Sequence, residues 1–341
     1  MKRGSIVVTG VAGLLGSNLA KWILVHHPEY EVVGIDAMIG GIETNVPQAV
    51  KFFKRDLSKD DISDIFERFK PTYVFHFAAF AAEGLSPFIR KFNYENNVIS
   101  TAAIVNECIK HNVKRLIYTS SMSVYGHGGQ TPPFTEDMPR CPIDPYGVSK
   151  AACEMDIEIA GEQHDLDYCI IRPHNVYGPG QNIWDPYRNV LGIWMYRAMH
   201  DLPMRIYGDG QQKRAFTYID DILEPLWNAA VLPEASRRII NMGNTPPVTI
   251  ETAATTLQNI IDCESPIGPP KIEYCEARHE VKNAYASGKL SEELLGFRWN
   301  TLLGEGLTVM WRWACTMPPR DLQVWDKYEL DKGLYSYWKK S

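Results

Sequence analysis

The chain has 341 residues, 45 % of them hydrophobic and 22 % charged, with a formal net charge of −6. This composition supplies the core of two domains, or of one large domain with an appended lobe. Its mild acidity argues against nucleic acid or an anionic membrane as partner, and no run approaches the ~18 apolar residues of a membrane-spanning helix.

Lys2 and Arg3 precede an apolar run too short for a targeting peptide, because Gly10 ends it; residues 5–9 read as a first strand. In residues 14–26, Leu15, Leu19, Trp22 and Ile23 recur at helical spacing. Strands are expected at 31–35, 51–53 and 73–77, with a helix at 62–69. A long helix is expected at 97–111, a strand at 115–119, a helix at 145–163 and a strand at 168–171. Such alternation means right-handed βαβ units and an α/β fold, a Rossmann-type doubly wound parallel sheet covered on both faces.

After Arg172 the texture changes. Residues 173–214 are rich in aromatics, Asn and Pro, with one helix at 189–200; 217–230 read as a helix and 238–241 as a short strand. From 249 onward, helices are interrupted at 265–270. The expected division is a dinucleotide-binding domain over 1–172, with 215–245 crossing back to it. A smaller mixed α/β substrate-binding lobe takes 173–214 and 246–341. Seven cysteines without a CxxC pair read as reduced thiols of a cytoplasmic protein, and no metal is expected.

Gly10-x-x-Gly13-x-x-Gly16 lies between the first strand and the first helix. In that context Gly10 makes a tight turn and Gly13 lets backbone approach a pyrophosphate. Gly16 allows close helix–strand packing, and the N–H groups at Leu14 and Leu15 open the helix toward phosphate. Asp36 ends the second strand 20 residues after Gly16, where a carboxylate accepts from ribose hydroxyls and repels a 2′-phosphate. The expected cofactor is therefore NAD rather than NADP. Asp56-Leu57, after the third strand, are candidates for the adenine end.

Tyr146 and Lys150 lie four apart at the start of a helix, on one face. A phenol has an ordinary pKa of about 10. A lysine ammonium and a bound positive nicotinamide would both favour the phenolate, making it a base for a sugar or alcohol hydroxyl. Alone, the pair is common by chance.

The glycine turn, Asp36, the sequence from Tyr118 through Ser121 to Gly126, and Tyr146-x-x-x-Lys150 occur in that order. Together, over the chain to about residue 315, they resemble the extended short-chain dehydrogenase/reductase family of nucleotide-sugar enzymes, and within it the UDP-glucose 4-epimerase branch. The resemblance implies catalytic roles for Ser121, Tyr146 and Lys150. It implies that Phe77-Ala78-Ala79 line the cofactor, that Asn97 steadies it, and that Pro173 and His174 pack against nicotinamide. It implies substrate contacts at Asn175 for the sugar diphosphate and at Arg214 and Arg278 for phosphate. Asn189 and Tyr207 would hold the uracil end, and Tyr285 would narrow the sugar pocket against N-acetylated sugars. A homodimer is expected.

Related dehydratases and decarboxylases of the family carry acids where this chain has Met122 and Ser123. The expected reaction is therefore 4-epimerisation of a nucleotide sugar, UDP-glucose/UDP-galactose first. UDP-hexuronate or UDP-N-acetylhexosamine epimerases and a dehydratase are the alternatives, and a non-catalytic NAD-sensing protein is a remote one.

Overall fold

The computed structural model describes residues 4–126, 131–243, 245–265, 268–278 and 280–338. Seven strands form one parallel sheet: β1 (Gly4–Thr9), β2 (Tyr30–Asp36), β3 (Lys51–Lys54), β4 (Tyr73–His76), β5 (Arg115–Thr119), β6 (Tyr168–Pro173) and β7 (Arg238–Met242). Their order is β7-β6-β5-β4-β1-β2-β3. The order reverses between β1 and β4, which pair in register from Ile6 with Tyr73 to Thr9 with His76. In open sheets of this kind the crevice beyond the carboxyl ends at that reversal is where a ligand binds.

The central strands β1 and β4 are buried on both faces and read as near-continuous apolar runs, whereas the edge strand β3 carries exposed lysines at both ends. Alternate residues serve opposite faces. Ile6, Val8, Phe75, Ile117 and Ile171 pack with Leu19 and Ile23 of helix α1 (Leu14–His26). Val7, Val33, Val74, Leu116 and Ile170 pack on the other side with Phe66 of α2 (Ser63–Phe69), Ile104 and Cys108 of α3 (Ser100–Lys110), and Ile157 of α4 (Pro145–His164). α4 starts where Pro145 fits the first turn and the Asp144 carboxylate accepts from Gly147 N at 2.8 Å.

Two elements depart from expectation. The helix expected at 97–111 begins earlier, as Arg90–Tyr94, and passes through a wider turn at Glu95–Ile99 into α3. Its polar Asn93 and Asn97 break the apolar pattern yet are buried, because both make hydrogen bonds inside the fold. The helix expected at 217–230 opens instead as a strand, Thr217–Tyr218, paired with Val176–Tyr177; a tight turn at Ile219–Ile222 leads into helix Leu223–Val231.

The lobe holds pairings too short to show a two-residue period. Met204–Tyr207 runs parallel to Ile272–Cys275, and Lys213–Arg214 lies between Val248–Thr249 and Asn283–Ala284. After helix Leu303–Cys315 the chain returns over the sheet domain, where Leu334 and Trp338 pack with Phe80, Leu85 and Phe88. Among the described residues no helix is long and apolar enough to cross a membrane.

Candidate active site

The glycine turn sits at the switch point. Gly10 has φ +68°, and a Cβ there would stand 2.8 Å from Ala78 N. A Cβ on Gly16 would lie 2.3 Å from Gly10 O, inside contact distance with rigid backbone. Gly13 precedes α1 without a side-chain cap, so the first-turn N–H groups at Leu14 and Leu15 are left for an anion. A cavity here is walled by Gly10, Gly13, Asp36, Asp56, Leu57, Phe77, Ala78 and Ala79. A Gly16→Val variant is expected to fold with α1 pushed off β1 and to lose at least tenfold in NAD affinity, measured by fluorescence titration.

Asp36 is fixed by the turn it serves. Its carboxylate accepts from Ala12 N at 3.0 Å and Met38 N at 2.8 Å, which leaves a lone pair on each oxygen for ribose hydroxyls. Burial raises its pKa, against the two backbone N–H groups and nearby Arg188. The Asp56 side chain is committed locally, to the Ser58 hydroxyl at 2.6 Å and the Lys59 ammonium at 2.8 Å. It therefore walls the cavity with its side chain already partnered. Asn97 is buried and acts at one remove: its Oδ1 accepts from Phe80 N at 2.7 Å, and its amide donates to Ser149 Oγ at 3.2 Å. It ties the Ala79–Phe80 wall to α4.

Tyr146 and Lys150 lie on α4 and Ser121 at the end of β5, and all three are buried. Ser121 Oγ accepts from Ser123 N at 3.1 Å and lies beside the Tyr146 phenol, whose pKa it lowers. Lys150 Nζ donates to Thr119 O at 2.7 Å, and burial lowers its pKa to about 8. One expectation needs correction. Burial first, then the negative Glu83 and Asp144, raise the phenol's pKa; Ser121 and Arg188 oppose them, and Lys150 is not among the groups that lower it. The lysine is turned to the Thr119 carbonyl, so the protein alone keeps Tyr146 protonated at neutral pH. A positive nicotinamide is the charge this site lacks.

Behind the trio lies a buried ionic knot. Glu154, one turn after Lys150, receives Arg172 Nε at 2.8 Å and Nη2 at 2.6 Å, and Arg140 Nε at 2.6 Å. The Ser120 hydroxyl also donates to it.

The expected substrate residues spread over the lobe side. Arg214 donates to Glu280 at 2.8 Å and to the Lys213 and Lys282 carbonyls. The Arg278 guanidinium stacks 3.4 Å from the Tyr207 ring centroid. The adjoining His279 lies outside the described residues. Asn175, at φ +36°, donates to Ala215 O at 2.8 Å. Tyr285 is half-buried, between Ala284 and Ala286, which pack into a cluster with Phe134.

Two placements are corrections. His174 is wholly buried, against Gly243, and burial lowers its pKa to about 4. It is a neutral core histidine with no face on the cleft, whereas neighbouring Pro173 is partly exposed. The Asn189 side chain caps a helix, accepting from Leu191 N at 3.2 Å and donating to Val176 O at 2.9 Å. Its amide is used by the fold.

The sequence profile of the NAD dependent epimerase/dehydratase family matches residues 6–243. The chain belongs to this family. It is 28 % identical over 314 residues to a UDP-glucose 4-epimerase of Mycolicibacterium smegmatis, covering 88 % of this chain and 95 % of that one. The structure of a UDP-glucose 4-epimerase from Thermotoga maritima with UDP-glucose superposes with a TM-score of 0.83 at 27 % identity, covering 91 % of this chain and 98 % of that one. The UDP-glucuronic acid 4-epimerase of Bacillus cereus with UDP-glucuronic acid and NAD gives a TM-score of 0.82 at 26 % identity, covering 91 % and 99 %. The family is NAD-dependent, and the glycine cradle, free helix N-terminus and Asp36 fit that dinucleotide. The chain is an NAD-dependent nucleotide-sugar epimerase of the family.

Three residues of the site escaped sequence reasoning. Arg188 reaches the cofactor cavity from the lobe side, its guanidinium 4.9 Å from the Phe80 ring centroid. No local pattern marks it, because a distant segment carries it in. Glu154 continues the four-residue spacing of Tyr146 and Lys150, a signal that was available. Glu83 follows the Phe77–Ala79 wall. Crowding by the surrounding chain and the negative Asp144 push its pKa up to about 7, against Arg214.

Proposed function

We propose that this family member interconverts the C4 epimers of a UDP-hexose, UDP-glucose and UDP-galactose. The observation that carries the reading is the Ser121–Tyr146–Lys150 trio with Met122 and Ser123, neither an acid, on the adjoining turn. Such a site can move a proton at one hydroxyl, and the turn that follows Ser121 carries no acid for elimination. That argues against a dehydratase, and an intact trio argues against a non-catalytic sensor.

Tyr146, deprotonated, takes the proton of the C4 hydroxyl, with Ser121 Oγ bridging the two oxygens. NAD, when bound, supplies the hydride acceptor and donor. Lys150, held by the Thr119 carbonyl, would bind the nicotinamide ribose and so steady the cofactor beside Tyr146. Asp36 and the first-turn N–H groups of α1 hold the dinucleotide through the whole cycle. Arg214 and Arg278 hold the diphosphate while the 4-keto sugar turns and offers its other face. Tyr146 then returns the proton to the new C4 oxygen.

Glu83 narrows the substrate. With Asp144, and with Arg214 opposing them, it puts negative charge beside Tyr146, which disfavours a hexuronate carboxylate. Tyr285 supports a narrow pocket, against N-acetylated sugars. The expected Glu83→Gln effect is a roughly tenfold rise in kcat/KM for UDP-glucuronate relative to UDP-glucose, the size of one screened charge pair. Because the carboxyl titrates near 7, its charge is present above that pH and lost below it. Discrimination against the uronate should therefore relax as pH falls through 7 in the wild type and stay flat in the variant.

The exposed Val148, Met155 and Ile159 along one face of α4 support a homodimer. For the reaction itself, NMR of UDP-glucose, UDP-glucuronate and UDP-N-acetylglucosamine in heavy water is the test. The expected product is UDP-galactose without deuterium at sugar carbons. Carbon-bound deuterium, or turnover of the uronate alone, replaces this reading.

A further inference from the structure

The segment beyond helix Leu303–Cys315 has no part in the chemistry above, yet it spans the cleft. On the sheet side it is bound to the chain that follows Glu83. The Glu329 carboxylate accepts from Lys91 N and Phe92 N, each at 2.8 Å, and Glu329 N donates to Phe88 O at 2.9 Å. Trp325 N donates to the Tyr187 hydroxyl at 3.0 Å, and the buried Trp338 ring lies 3.4 Å from where a Gly84 Cβ would stand.

On the lobe side the same segment meets Arg278. Arg278 Nε donates to Tyr337 Oη at 2.7 Å. The guanidinium carbon is 3.4 Å from the Tyr207 ring centroid, 5.0 Å from that of Tyr337 and 5.5 Å from that of Trp338. Aromatic faces attract a guanidinium and exclude water from it. With Nε held, the outer edge, Nη1 and Nη2, forms no hydrogen bond among the described residues. That edge is the fork that pairs bidentately with phosphate oxygens. Burial keeps the Tyr337 hydroxyl protonated, with Arg278 opposing, so it stays a neutral acceptor.

We infer that residues 325–338 form a strap that completes the phosphate end of the substrate site, and that Tyr337 is a positioning residue aiming the Arg278 fork at a nucleoside diphosphate. This rests on the reading that Arg278 meets the diphosphate. The strap joins the Gly84–Phe88 side to the Tyr207–Arg278 side, so it also fixes the distance between the cofactor and the anchored nucleotide. Without the strap, Arg278 would keep only its stack on Tyr207, which leaves the guanidinium free to rotate over that ring.

The test is calorimetric titration of the NAD-loaded full chain with UDP, dTDP and GDP in turn, for wild type, Tyr337→Phe, Arg278→Ala and the double variant, together with steady-state kinetics. Tyr337→Phe removes one hydroxyl and keeps the ring. The expected result is about tenfold weaker diphosphate binding, as for loss of a hydrogen bond to a charged group, with KM raised to match and kcat within twofold. In the Arg278→Ala background the same change should have no effect. Equal binding by wild type and Tyr337→Phe overturns the inference and leaves the function standing. A similar loss in the Arg278→Ala background also overturns it, since the role would then be structural. A wild type that binds none of the three overturns the nucleotide-sugar reading and the strap with it.

Discussion

Tyr146→Phe should lower kcat by roughly 10³-fold, the usual contribution of one positioned acid–base group, while NAD content and melting temperature stay near wild type. The Ser121 hydroxyl is the group beside its phenol that lowers its pKa most, and the ring keeps its buried place on α4. Lys150→Ala should behave differently. Lys150 Nζ is held by the Thr119 carbonyl under the expected cofactor position, so its loss should weaken NAD binding as well as turnover. Ultraviolet spectra of the purified variants read bound dinucleotide, and coupled assays read kcat. Turnover retained by Tyr146→Phe would remove Tyr146 from the base role, and equal NAD loss in both variants would make the pair structural.

The pH dependence follows from the same site. Burial, Glu83 and Asp144 hold the phenol protonated near neutrality, so activity should climb with pH toward the alkaline side. Lys150, with its pKa lowered to about 8, loses its charge on that side. The optimum is therefore expected to be narrow and to lie near the lysine's titration. For stability the sign is opposite to that of a paired lysine. The folded chain binds fewer protons at Lys150 than the unfolded chain, whose lysine titrates near 10.4. Stability from this group rises as pH climbs from about 8 to about 10.

The nucleotide half of the molecule was legible because its physics is local. β1 and α1 announce themselves by period, and Gly16 is glycine for a reason that acts within six residues, its approach to Gly10 O. Tyr146 and Lys150 share a helix face by spacing alone. The lobe was not legible in that way. Lys213–Arg214 becomes a strand only because Val248–Thr249 and Asn283–Ala284 arrive on either side. Asn189 and His174 matched motif positions, but their side chains are used by a helix cap and by the core. Arg188, Glu83 and Tyr337 reach the site from segments whose own sequence carries no pattern.

The second large effect is on folding. The Glu154 and Arg172 side chains are almost wholly buried, and the carboxylate's partners are Arg172, Arg140 and Ser120. Burial would raise the Glu154 pKa, but the hydrogen bond and charge of Arg172, with Ser120 and Arg140, outweigh it and hold the carboxyl below its ordinary value. Its contribution to stability is then present above the unfolded carboxyl's pKa of about 4.3 and lost as pH falls through the lower folded value. Among the described residues, Glu154→Ala leaves the buried Arg172 guanidinium with only the Tyr125 hydroxyl, which accepts from Nη1 at 2.7 Å. Breaking such a pair costs about 3–5 kcal/mol, which in a chain of this size lowers Tm by on the order of 10 °C. The double variant Glu154→Ala/Arg172→Met removes both charges and should recover much of that loss, because an uncompensated buried charge is worse than none. Equal melting of single and double variants would mean that the knot is not a coupled pair. The knot also reaches the chemistry, since Ser120 precedes Ser121 and Glu154 follows Lys150 by one turn. A folded Glu154→Gln variant should therefore lose kcat with KM nearly unchanged, the signature of a trio slightly out of register rather than of a weakened grip on substrate.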